Sequence, residues 1–471
     1  MRSLFIGILL LAVNMLNAQP LSQRLDALVN SDVLKTSEIG ITVFDLTEGR
    51  SLYDYQSEKL YRPASIEKII TSVTTLARLT ENYTFDTQLR YSGTIRQDTL
   101  FGNLYVIGGF DPLFSDEDLS HLADAIHGVG IRYIADTLAA EVSMMDSIYW
   151  GPGWSWDDTP ASFQPYLSPL MLNQGCVDVT VIPQEPGTPP MVECYPRSTY
   201  YQVNNQAVSN DPDAGKLVIT RNWLEHGNII TVSGNVTKQT KSKLSVVSSQ
   251  SFFMHALRER LEERGVGVAT TDYLDCPTEN DSIQLTPIIT LSRPLREVLK
   301  EALKESNNLC AEAMYYHNAK NLFSKEGISS ADGADAINTF MRGAIGMNPD
   351  NYNIVDGSGI SLYNYVSPRL MVEYLKYAYY HRPVFLSLYD ALPIAGVDGT
   401  LKGRMRGTPA ANNVRAKTGS VRGVSSLAGY VKARNGHQLA FVIINQNIMQ
   451  LRKARDLQDK ICVELTKLND E

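Results

Sequence analysis

The stretch Pro63-Ala64-Ser65-Ile66-Glu67-Lys68 decides how the rest of this chain is interpreted. Proline suits the first turn of a helix, and apolar residues continue at helical spacing up to Leu76. Ser65 and Lys68 are three residues apart, so a helix places the hydroxyl and the amine on one face. A serine becomes a good nucleophile when a base removes its proton, and a lysine can be that base when it is held neutral. The motif predicts a nucleophile, Ser65, activated by Lys68, although Ser-x-x-Lys alone is also common at ordinary helix starts.

A second polar cluster, Ser306-Asn307-Asn308, follows a helical pattern that begins at Leu295. Serine and asparagine often cap helices or turn the chain, so the cluster alone predicts a helix junction. A hydroxyl and an amide two residues apart can also point into a shared cleft. We expect Ser306 to pass a proton between Lys68 and a leaving group, and Asn308 to hold a substrate amide.

The third motif, Lys417-Thr418-Gly419-Ser420, lies in a strand-like stretch near the C-terminus. Lys417 and Thr418 can bind a carboxylate, and Gly419 lets a substrate backbone lie close to the strand edge. The backbone N–H groups of Ser420 and Ser65 could form an oxyanion hole. Taken alone, the stretch is more typical of an exposed edge strand, in which Lys and Gly are ordinary surface residues.

The three motifs occur in the order Ser-x-x-Lys, Ser-x-Asn and Lys-Thr-Gly. This set resembles that of the penicillin-recognising serine enzymes. The wide gap between the first two motifs is similar to the D-alanyl-D-alanine carboxypeptidase/endopeptidase family of the penicillin-binding protein 4 (DacB) type, whose transpeptidase-like domain carries two inserted domains. Two further stretches resemble segments of that family, Gly108-Gly109-Phe110-Asp111-Pro112 and Asp356-Gly357-Ser358-Gly359-Ile360-Ser361.

The resemblance implies both a fold and an activity. The expected fold is an α/β (α+β) serine β-lactamase/transpeptidase-like domain, with an antiparallel sheet flanked by helices and two mostly β inserted domains. The expected activity is cleavage of the terminal D-Ala of peptidoglycan stem peptides, and of D-Ala cross-links, through a Ser65 acyl-enzyme. Peptidoglycan peptides are the expected partners and β-lactams the expected covalent inhibitors. No metal or organic cofactor is implied, because the serine and lysine supply the nucleophile and the base.

Two features bear on substrate recognition. The family often has an arginine directly after the stretch Asp356–Ser361, where this chain has Leu362. The identity of the residue that the enzyme accepts at position three of the stem peptide is therefore left open. In the predicted insert, Trp154, Trp156, Asp157 and Asp158 could line the substrate cleft. The alternative is a rigid aromatic loop with a solvated acidic tip.

The two ends of the chain predict one sheet, because strand patterns and tight turns occur at both. The predicted strands are Ile39–Asp45, Ser51–Tyr55, Ser426–Lys432 and Gln438–Asn445, the last two joined across Asn435-Gly436, and a helical pattern follows at Leu451–Leu468. The middle holds many short strand-like runs between turns, interrupted by helical patterns at Asp118–His127 and Phe252–Arg264. We expect a signal peptide at 1–18, a catalytic domain at 19–83 plus 288–471, an insert domain at 84–170 plus 245–287, and a second, smaller β insert domain at 171–244.

The N-terminus is typical of a secretory signal. Arg2 precedes a short apolar run that ends near the small residue Ala18. The run is too short to span a bilayer comfortably and no second long apolar run follows, so no transmembrane segment is expected. We expect a periplasmic protein, soluble or peripherally associated with the membrane. The net charge of −8 argues against nucleic acid as the main partner.

The five cysteines leave the disulfide question open. An oxidising compartment would permit a bridge between Cys176 and Cys194, the nearest pair in sequence. Cys310 and Cys462 are expected to be small buried residues on helices. No cysteine and histidine cluster has the spacing of a metal site.

Three other functions were weighed. An α/β-hydrolase is excluded at its main signature, because Gly357-Ser358-Gly359 is not Gly-x-Ser-x-Gly and no histidine accompanies a nucleophile elbow. A β-lactamase would need fast deacylation, and the large inserts favour a polymeric peptide over a small drug. A non-catalytic cell-wall binding protein is disfavoured because such a protein would be free to lose Ser65 or Lys417.

Overall fold

The computed structural model describes residues 19–274 and 284–469, so the predicted signal peptide at 1–18 and Cys276 lie outside the described residues. The chain divides into two compact units. The first unit comprises Met1–Arg78, Leu299–Asn307 and Ile337–Glu471, and the second comprises Leu79–Val298 and Asn308–Ala336. Among the described helices, none combines the length and apolar character that crossing a bilayer requires.

The described helices are numbered in chain order. They are α1 Leu21–Val29, α2 Lys68–Leu79, α3 Asp116–Gly128, α4 Ser249–Glu263, α5 Leu295–Lys304, α6 Asn308–Phe323, α7 Ser330–Phe340, α8 Pro368–Tyr380, α9 Arg382–Ala391 and α10 Leu451–Thr466. Two short 3₁₀ turns matter for the site, Ala64–Glu67 and Gly399–Leu401.

The described strands are numbered in the same way. They are β1 Glu38–Asp45, β2 Arg50–Tyr55, β3 Thr84–Tyr91, β4 Thr94–Arg96, β5 Thr99–Phe101, β6 Leu104–Ile107, β7 Tyr133–Glu141, β8 Cys176–Ile182, β9 Met191–Tyr195, β10 Gln202–Ser209, β11 Val218–Arg221, β12 Ile229–Val236, β13 Thr240–Ser245, β14 Gly267–Tyr273, β15 Thr286–Pro294, β16 Arg415–Val421, β17 Val424–Lys432 and β18 Gln438–Gln446.

The first unit is built on a five-stranded antiparallel sheet in the order β16-β17-β18-β1-β2. The pairing of β1 with β18 joins the two ends of the chain, with Ile41 opposite Ile443 and Val43 opposite Phe441. This confirms the sheet predicted from both ends. The strand β16, which contains the third motif, lies at the edge of this sheet.

Helices cover both faces of this sheet. On one face, Ile41 belongs to an apolar core that includes residues of α1 and α10. On the other face, a methyl group added at Gly40 would lie 2.8 Å from the ring of Pro368, the first residue of α8. The central strands are therefore buried on both sides, which explains their almost continuous apolar sequence.

The second unit contains a mixed sheet and two three-stranded sheets. The mixed sheet runs in the order β15-β3-β6-β7-β5-β4, with β14 also paired to β7, and the smaller sheets are β10-β12-β11 and β13-β8-β9. Its core packs apolar residues of α3 and α4 against the strands. The finer division into a larger insert at 84–170 plus 245–287 and a smaller one at 171–244 stays a prediction.

Cys176 and Cys194 form no disulfide in the structure. They lie on the paired strands β8 and β9, but the residue opposite Cys194 is Val179. Burial raises the pKa of Cys176 to about 12, so this thiol is poorly reactive at neutral pH. Cys310 and Cys462 are buried in α6 and α10, as predicted.

Candidate active site

Ser65 lies in the 3₁₀ turn Ala64–Glu67, and the α-helix proper begins at Lys68. The preceding residue, Ala64, has a φ of +50°, a region that residues with a side chain rarely adopt. The buried hydroxyl of Ser426 donates to the carbonyl oxygen of Pro63 at 2.6 Å and ties this turn to the sheet. Ser65 is thereby held just before the N-terminus of α2, where negative charge is favoured.

Lys68 is fully buried, and its amine contacts the candidate nucleophile. Its Nζ donates to Ser65 Oγ at 3.1 Å and to the carbonyl oxygen of Ser358 at 2.8 Å. The three-residue spacing therefore does bring the two side chains within hydrogen-bonding distance. The amine is aimed at Ser65 by a backbone carbonyl that lies far away in sequence.

That carbonyl belongs to a turn organised by Asp356. The carboxylate of Asp356 is buried and accepts hydrogen bonds from the backbone N–H of Gly359 at 2.8 Å, the N–H of Ser361 at 2.8 Å and the side-chain amide of Asn364 at 2.7 Å. Three donors on one buried carboxylate fix the backbone path of residues 356–361.

The same turn packs closely against the turn that carries the serine. Gly359 has a φ of +79°, and a methyl group there would lie 2.1 Å from the carbonyl oxygen of Ala64. A hydrogen bond of 2.7 Å from the hydroxyl of Thr71 on α2 to the carbonyl oxygen of Gly357 adds a second attachment. Only glycine fits at position 359, because both the backbone conformation and the space exclude a side chain.

The second motif meets the third in the first unit. Ser306 follows α5 with a φ of +63°, so it too has a strained backbone conformation. The buried Lys417 of β16 donates from Nζ to Ser306 Oγ at 2.8 Å and to the carbonyl oxygen of Thr418 at 2.7 Å. The helix junction and the edge strand predicted from the sequence are thus joined by a direct hydrogen bond.

The two buried lysines are coupled through their charges. Burial lowers the pKa of Lys417 well below its usual value, and the positive charge of Lys68 lowers it further. Two ammonium groups in one poorly solvated place are unfavourable, so a neutral amine in this pair is favoured. A neutral buried amine can accept a proton from a serine.

The edge strand β16 contacts the 3₁₀ turn that carries Ser65. A methyl group at Gly419 would lie 2.1 Å from Ser426 Oγ, 2.9 Å from the carbonyl oxygen of Pro63 and 3.0 Å from the backbone nitrogen of Ser65. The absence of a side chain at position 419 is what permits this approach. The backbone of the third motif therefore passes directly beside the backbone of the candidate nucleophile.

The remaining residues of the third motif lie near the surface. The hydroxyl of Thr418 donates to the hydroxyl of Thr400 at 2.8 Å, and Thr400 lies in the turn Gly399–Leu401. Ser420 is exposed, and its hydroxyl accepts a hydrogen bond of 3.3 Å from Arg455. Thr418 thus has its hydroxyl positioned by a partner that sequence reasoning did not identify.

Other predicted residues belong to the second unit. Asn308 is the first residue of α6, and its side-chain amide donates to the carbonyl oxygen of Phe163 at 2.7 Å. Trp154 is buried, whereas Trp156 is 65% exposed in a short turn with the exposed Asp157 and Asp158. The expected roles of these residues in substrate binding stay predictions.

In the first unit the structure forms two hydrogen-bonded pairs, Ser65 with Lys68 and Ser306 with Lys417. Sequence reasoning missed the carbonyl of Ser358 that orients Lys68. The stretch 356–361 was the signal that could have led to this carbonyl. It resembles a family segment, but no role was assigned to it from the sequence. Leu362, just after it, is 38% exposed.

No metal site accompanies this arrangement in residues 19–274 and 284–469, where acidic residues, histidines and cysteines form no group able to hold an ion.

Comparisons with known proteins identify the family of this chain. Residues 21–468 match the model of the D-Ala-D-Ala carboxypeptidase 3 (S13) family. The chain is 28% identical over 415 residues to the D-alanyl-D-alanine carboxypeptidase DacB of Haemophilus influenzae, covering 86% of this chain and 85% of the relative. It is 30% identical over 443 residues to a D-alanyl-D-alanine carboxypeptidase of Actinomadura sp., covering 90% of this chain and 80% of the relative.

The crystal structure of penicillin-binding protein 4 (dacB) from Haemophilus influenzae matches with a TM-score of 0.83 at 24% identity, over 94% of this chain and 99% of the other. The same protein in complex with a β-lactam matches with a TM-score of 0.75. These likenesses show a serine β-lactamase/transpeptidase-like fold, as the sequence predicted. With a family model that spans nearly all of its described residues, the chain belongs to the D-Ala-D-Ala carboxypeptidase 3 (S13) family.

Proposed function

We propose that this protein is a serine-type D-Ala-D-Ala carboxypeptidase, DD-endopeptidase or both, acting on peptidoglycan stem peptides and cross-links. One observation carries the proposal. In a chain of the S13 family, the Nζ of a fully buried lysine, Lys68, lies 3.1 Å from the hydroxyl of Ser65. β-Lactams are then covalent inhibitors, because they acylate the same hydroxyl.

The first step is acylation of Ser65. The neutral amine of Lys68 removes the hydroxyl proton as Oγ attacks the carbonyl carbon of the penultimate D-Ala. A bond forms between Oγ and that carbon, and the carbonyl oxygen becomes an oxyanion. The backbone N–H groups of Ser65 and Ser420 are the proposed donors to this oxyanion. The close approach of Gly419 to the Ser65 nitrogen supports this pairing.

The second step breaks the peptide bond. The tetrahedral intermediate collapses to an ester on Ser65, and the C–N bond to the leaving D-Ala is cleaved. The leaving amine takes a proton from the hydroxyl of Ser306, which takes back the proton that Lys68 removed from Ser65, so Lys68 is neutral again. The hydrogen bond from Lys417 holds the Ser306 hydroxyl in place for this transfer. Water then attacks the ester carbonyl and Lys68 accepts a proton from it. The same proton passes to Ser65 Oγ as the C–O bond breaks, which restores the hydroxyl and the neutral amine and releases the shortened peptide.

Substrate binding is assigned to the third motif and to the second unit. Lys417 and Thr418 bind the terminal carboxylate of the substrate, one by charge and the other by its hydroxyl. The bound carboxylate favours the ammonium form of Lys417, which leaves Lys68 as the neutral amine of the pair. The bond from Thr418 to Thr400 fixes the orientation of that hydroxyl. Asn308 is proposed to hold the amide of the stem peptide.

We also propose where the protein works and how it is divided. Residues 1–18 are a signal peptide that exports the protein to the periplasm, where it is soluble or peripherally associated with the membrane. The catalytic domain comprises 19–83 plus 288–471, and two inserts occupy 84–170 plus 245–287 and 171–244. The N-terminal charge and apolar pattern supports export, and the β-rich middle supports the inserts.

The test is release of D-Ala from a pentapeptide ending in D-Ala-D-Ala, alongside cleavage of purified cross-linked muropeptides. Wild type is expected to release D-Ala, to cleave the cross-link, or both. Ser65→Ala and Lys68→Met are expected to reduce turnover by a factor of about 10³ or more. Turnover by Ser65→Ala equal to that of wild type would overturn the proposal.

A further inference from the structure

The C-terminal part of the chain has a charge opposite to that of the whole. Residues 399–469 contain 13 lysines and arginines against 3 aspartates and glutamates, a formal charge of +10, whereas the whole chain carries −8. Only part of this charge is used inside the protein. Lys417 belongs to the candidate active site, and Arg404 forms an ion pair with Asp459 at 2.6 Å.

Several of the remaining cations converge on one cleft of about 490 Å³ in the first unit. Its lining includes Arg415, Lys432, Arg434, Lys467, Tyr389 and Asn413. None of these residues belongs to the candidate active site. A cleft of this size can hold a short peptide segment or a similarly small group.

The positive charge of this cleft is only partly neutralised by the carboxylates that the structure describes. Within the described part of the chain, Arg415, Lys432 and Arg434 form no ion pair with a carboxylate, and only Lys467 does, with Glu464 at 2.6 Å. Arg415 donates to the carbonyl oxygen of Tyr389 and stacks over its ring at 4.5 Å. Its charge also acts on Asp398, a carboxylate already bound by Lys304 at 2.6 Å.

The cleft is also rigidly built. Asn413 donates to the carbonyl oxygen of Lys432 at 2.8 Å and accepts from the N–H of the same residue at 2.9 Å. This reciprocal pair ties the loop that precedes β16 to the end of β17. The backbone of Arg434 donates to the carbonyl oxygen of Thr466 at the end of α10. The backbone that carries these cations is therefore fixed, and binding of an anion has to order only their side chains.

We propose that this cleft binds a carboxylate-bearing peptide segment of the polymeric substrate, separately from the stem peptide that is cleaved at Ser65. The proposal rests on the proposed function, because it takes the stem peptides of peptidoglycan as the source of the carboxylates. The guanidinium of Arg434 and the ammonium of Lys432, which form no ion pair with a described carboxylate, are suited to binding the carboxylates of a ligand. The cleft would anchor the polymer while another of its peptides occupies the active site.

An anionic membrane surface is the less favoured source of the negative charge. Peripheral membrane binding usually combines a convex or flat basic surface with exposed apolar side chains that insert into the bilayer. Here the exposed large apolar residues that the structure describes, such as Met449 and Leu386, are not part of the lining of the cleft. We therefore assign the cleft to peptide carboxylates.

The test is co-sedimentation with purified peptidoglycan sacculi, using the Ser65→Ala protein so that the polymer stays intact. The double variant Lys432→Glu/Arg434→Glu changes two exposed cations of the cleft. It is expected to bind sacculi about tenfold more weakly at low salt, and the difference should shrink at high salt. The matched control is the double variant Arg452→Glu/Lys453→Glu, which reverses two exposed cations of α10 outside the cleft and should leave binding unchanged.

Two further arms identify the ligand. Sacculi whose free carboxyl groups have been converted to amides should bind the parent protein as weakly as untreated sacculi bind the double variant. Vesicles containing anionic phospholipid should show no difference between the parent and the double variant. Unchanged binding of the double variant to sacculi would overturn the proposal. A double variant that binds vesicles more weakly but sacculi as well as the parent would also overturn it and would indicate a membrane site.

The two proposals fail separately. Acylation by benzylpenicillin is measured on the same cleft substitutions in the Ser65 background. A protein that is acylated but binds sacculi regardless of the cleft cations retains the proposed function and loses this inference. A protein that is never acylated fails the proposed function whatever its binding to sacculi.

Discussion

Gly419 offers a sharp test of the site geometry, because the turn of Ser65 depends on the absence of a side chain there. In Gly419→Ala the new methyl group would lie 2.1 Å from Ser426 Oγ, 2.9 Å from the carbonyl oxygen of Pro63 and 3.0 Å from the nitrogen of Ser65. Ordinary contact begins at 3.4 Å, so the hydroxyl must move by more than an ångström. That hydroxyl is buried and bonded to Pro63 at 2.6 Å.

The magnitude follows from what must move. Losing the hydrogen bond between Ser426 and Pro63 costs about 1 kcal/mol, and overpacking at a buried site adds roughly 1–3 kcal/mol to the loss in the free energy of unfolding. Displacing the Ser65 nitrogen removes one proposed oxyanion donor. Loss of one such donor typically slows the reaction by a factor of about 10² to 10³.

The assay is the second-order rate constant of acylation by benzylpenicillin, measured together with urea-induced unfolding. We expect acylation of Gly419→Ala to be slower by a factor of about 10² while the protein remains folded. Gly403→Ala is the control, because a methyl group there meets nothing within 4 Å. Acylation of Gly419→Ala within threefold of wild type, at comparable stability, would refute the reasoning.

Three further predictions concern buried ionisable groups. Burial lowers the pKa of Lys417, and above that pKa its neutral amine no longer pairs with a carboxylate. We therefore expect kcat/KM for a peptide with a free terminal carboxylate to fall as pH rises through that pKa, and amidating the carboxylate to remove this limb. Burial lowers the pKa of His317 to about 3, so between about pH 6.5 and pH 3 the unfolded chain binds a proton that the folded chain does not. The free energy of unfolding should therefore fall by about 1.4 kcal/mol for each pH unit by which the pH is lowered in this range. Urea titrations across this range should show a weaker pH dependence in His317→Gln. Asp356→Ala removes the acceptor of three hydrogen bonds, and we expect a loss of about 3 kcal/mol in unfolding free energy and acylation slower by at least about tenfold, with Asp356→Asn in between.

Each of these three predictions has a contrary result. A pH profile for the free carboxylate that matches the amidated peptide would contradict the role of Lys417 as a carboxylate-binding cation. An unchanged pH dependence in His317→Gln would assign the acid sensitivity to other groups. Full acylation by Asp356→Ala would show that its turn does not orient Lys68.

The parts of the fold that were predicted rest on local signals. The Asn-Gly pair at 435–436 marks the hairpin of β17 and β18, and Gly436 indeed has a φ of +89°. Alternating apolar residues predicted the strand β1, and apolar residues at helical spacing predicted the helix α10. The helix α10 buries one apolar face, which its periodicity reveals, whereas β1 is buried on both faces and is marked by its apolar content.

Strands without such a pattern were not identified. β10 is mostly exposed and polar, and it is held by parallel pairing with β12. β14 pairs in parallel with β7 across more than a hundred residues of chain. Pairings of this kind depend on partners distant in sequence, which a single strand does not specify.

In the candidate site, too, the features set by local sequence were predicted, and those set by distant residues were not. The spacing of Ser65 and Lys68 gave their contact, because three residues make about one turn of a helix. The local structure is nevertheless a 3₁₀ turn entered from a strained Ala64, which depends on packing and not on propensity. The link from Lys68 to Ser358 spans 290 residues, so only the folded chain reveals it.

The most direct test of the central claim is the intact mass of the purified mature protein after incubation with benzylpenicillin, followed by a digest that locates the modified peptide. The structure predicts the addition of one penicillin, carried by the peptide that contains Ser65 and absent in Ser65→Ala. A wild-type protein that gains no mass, or an adduct that persists in Ser65→Ala, would contradict the assignment of Ser65 as the nucleophile.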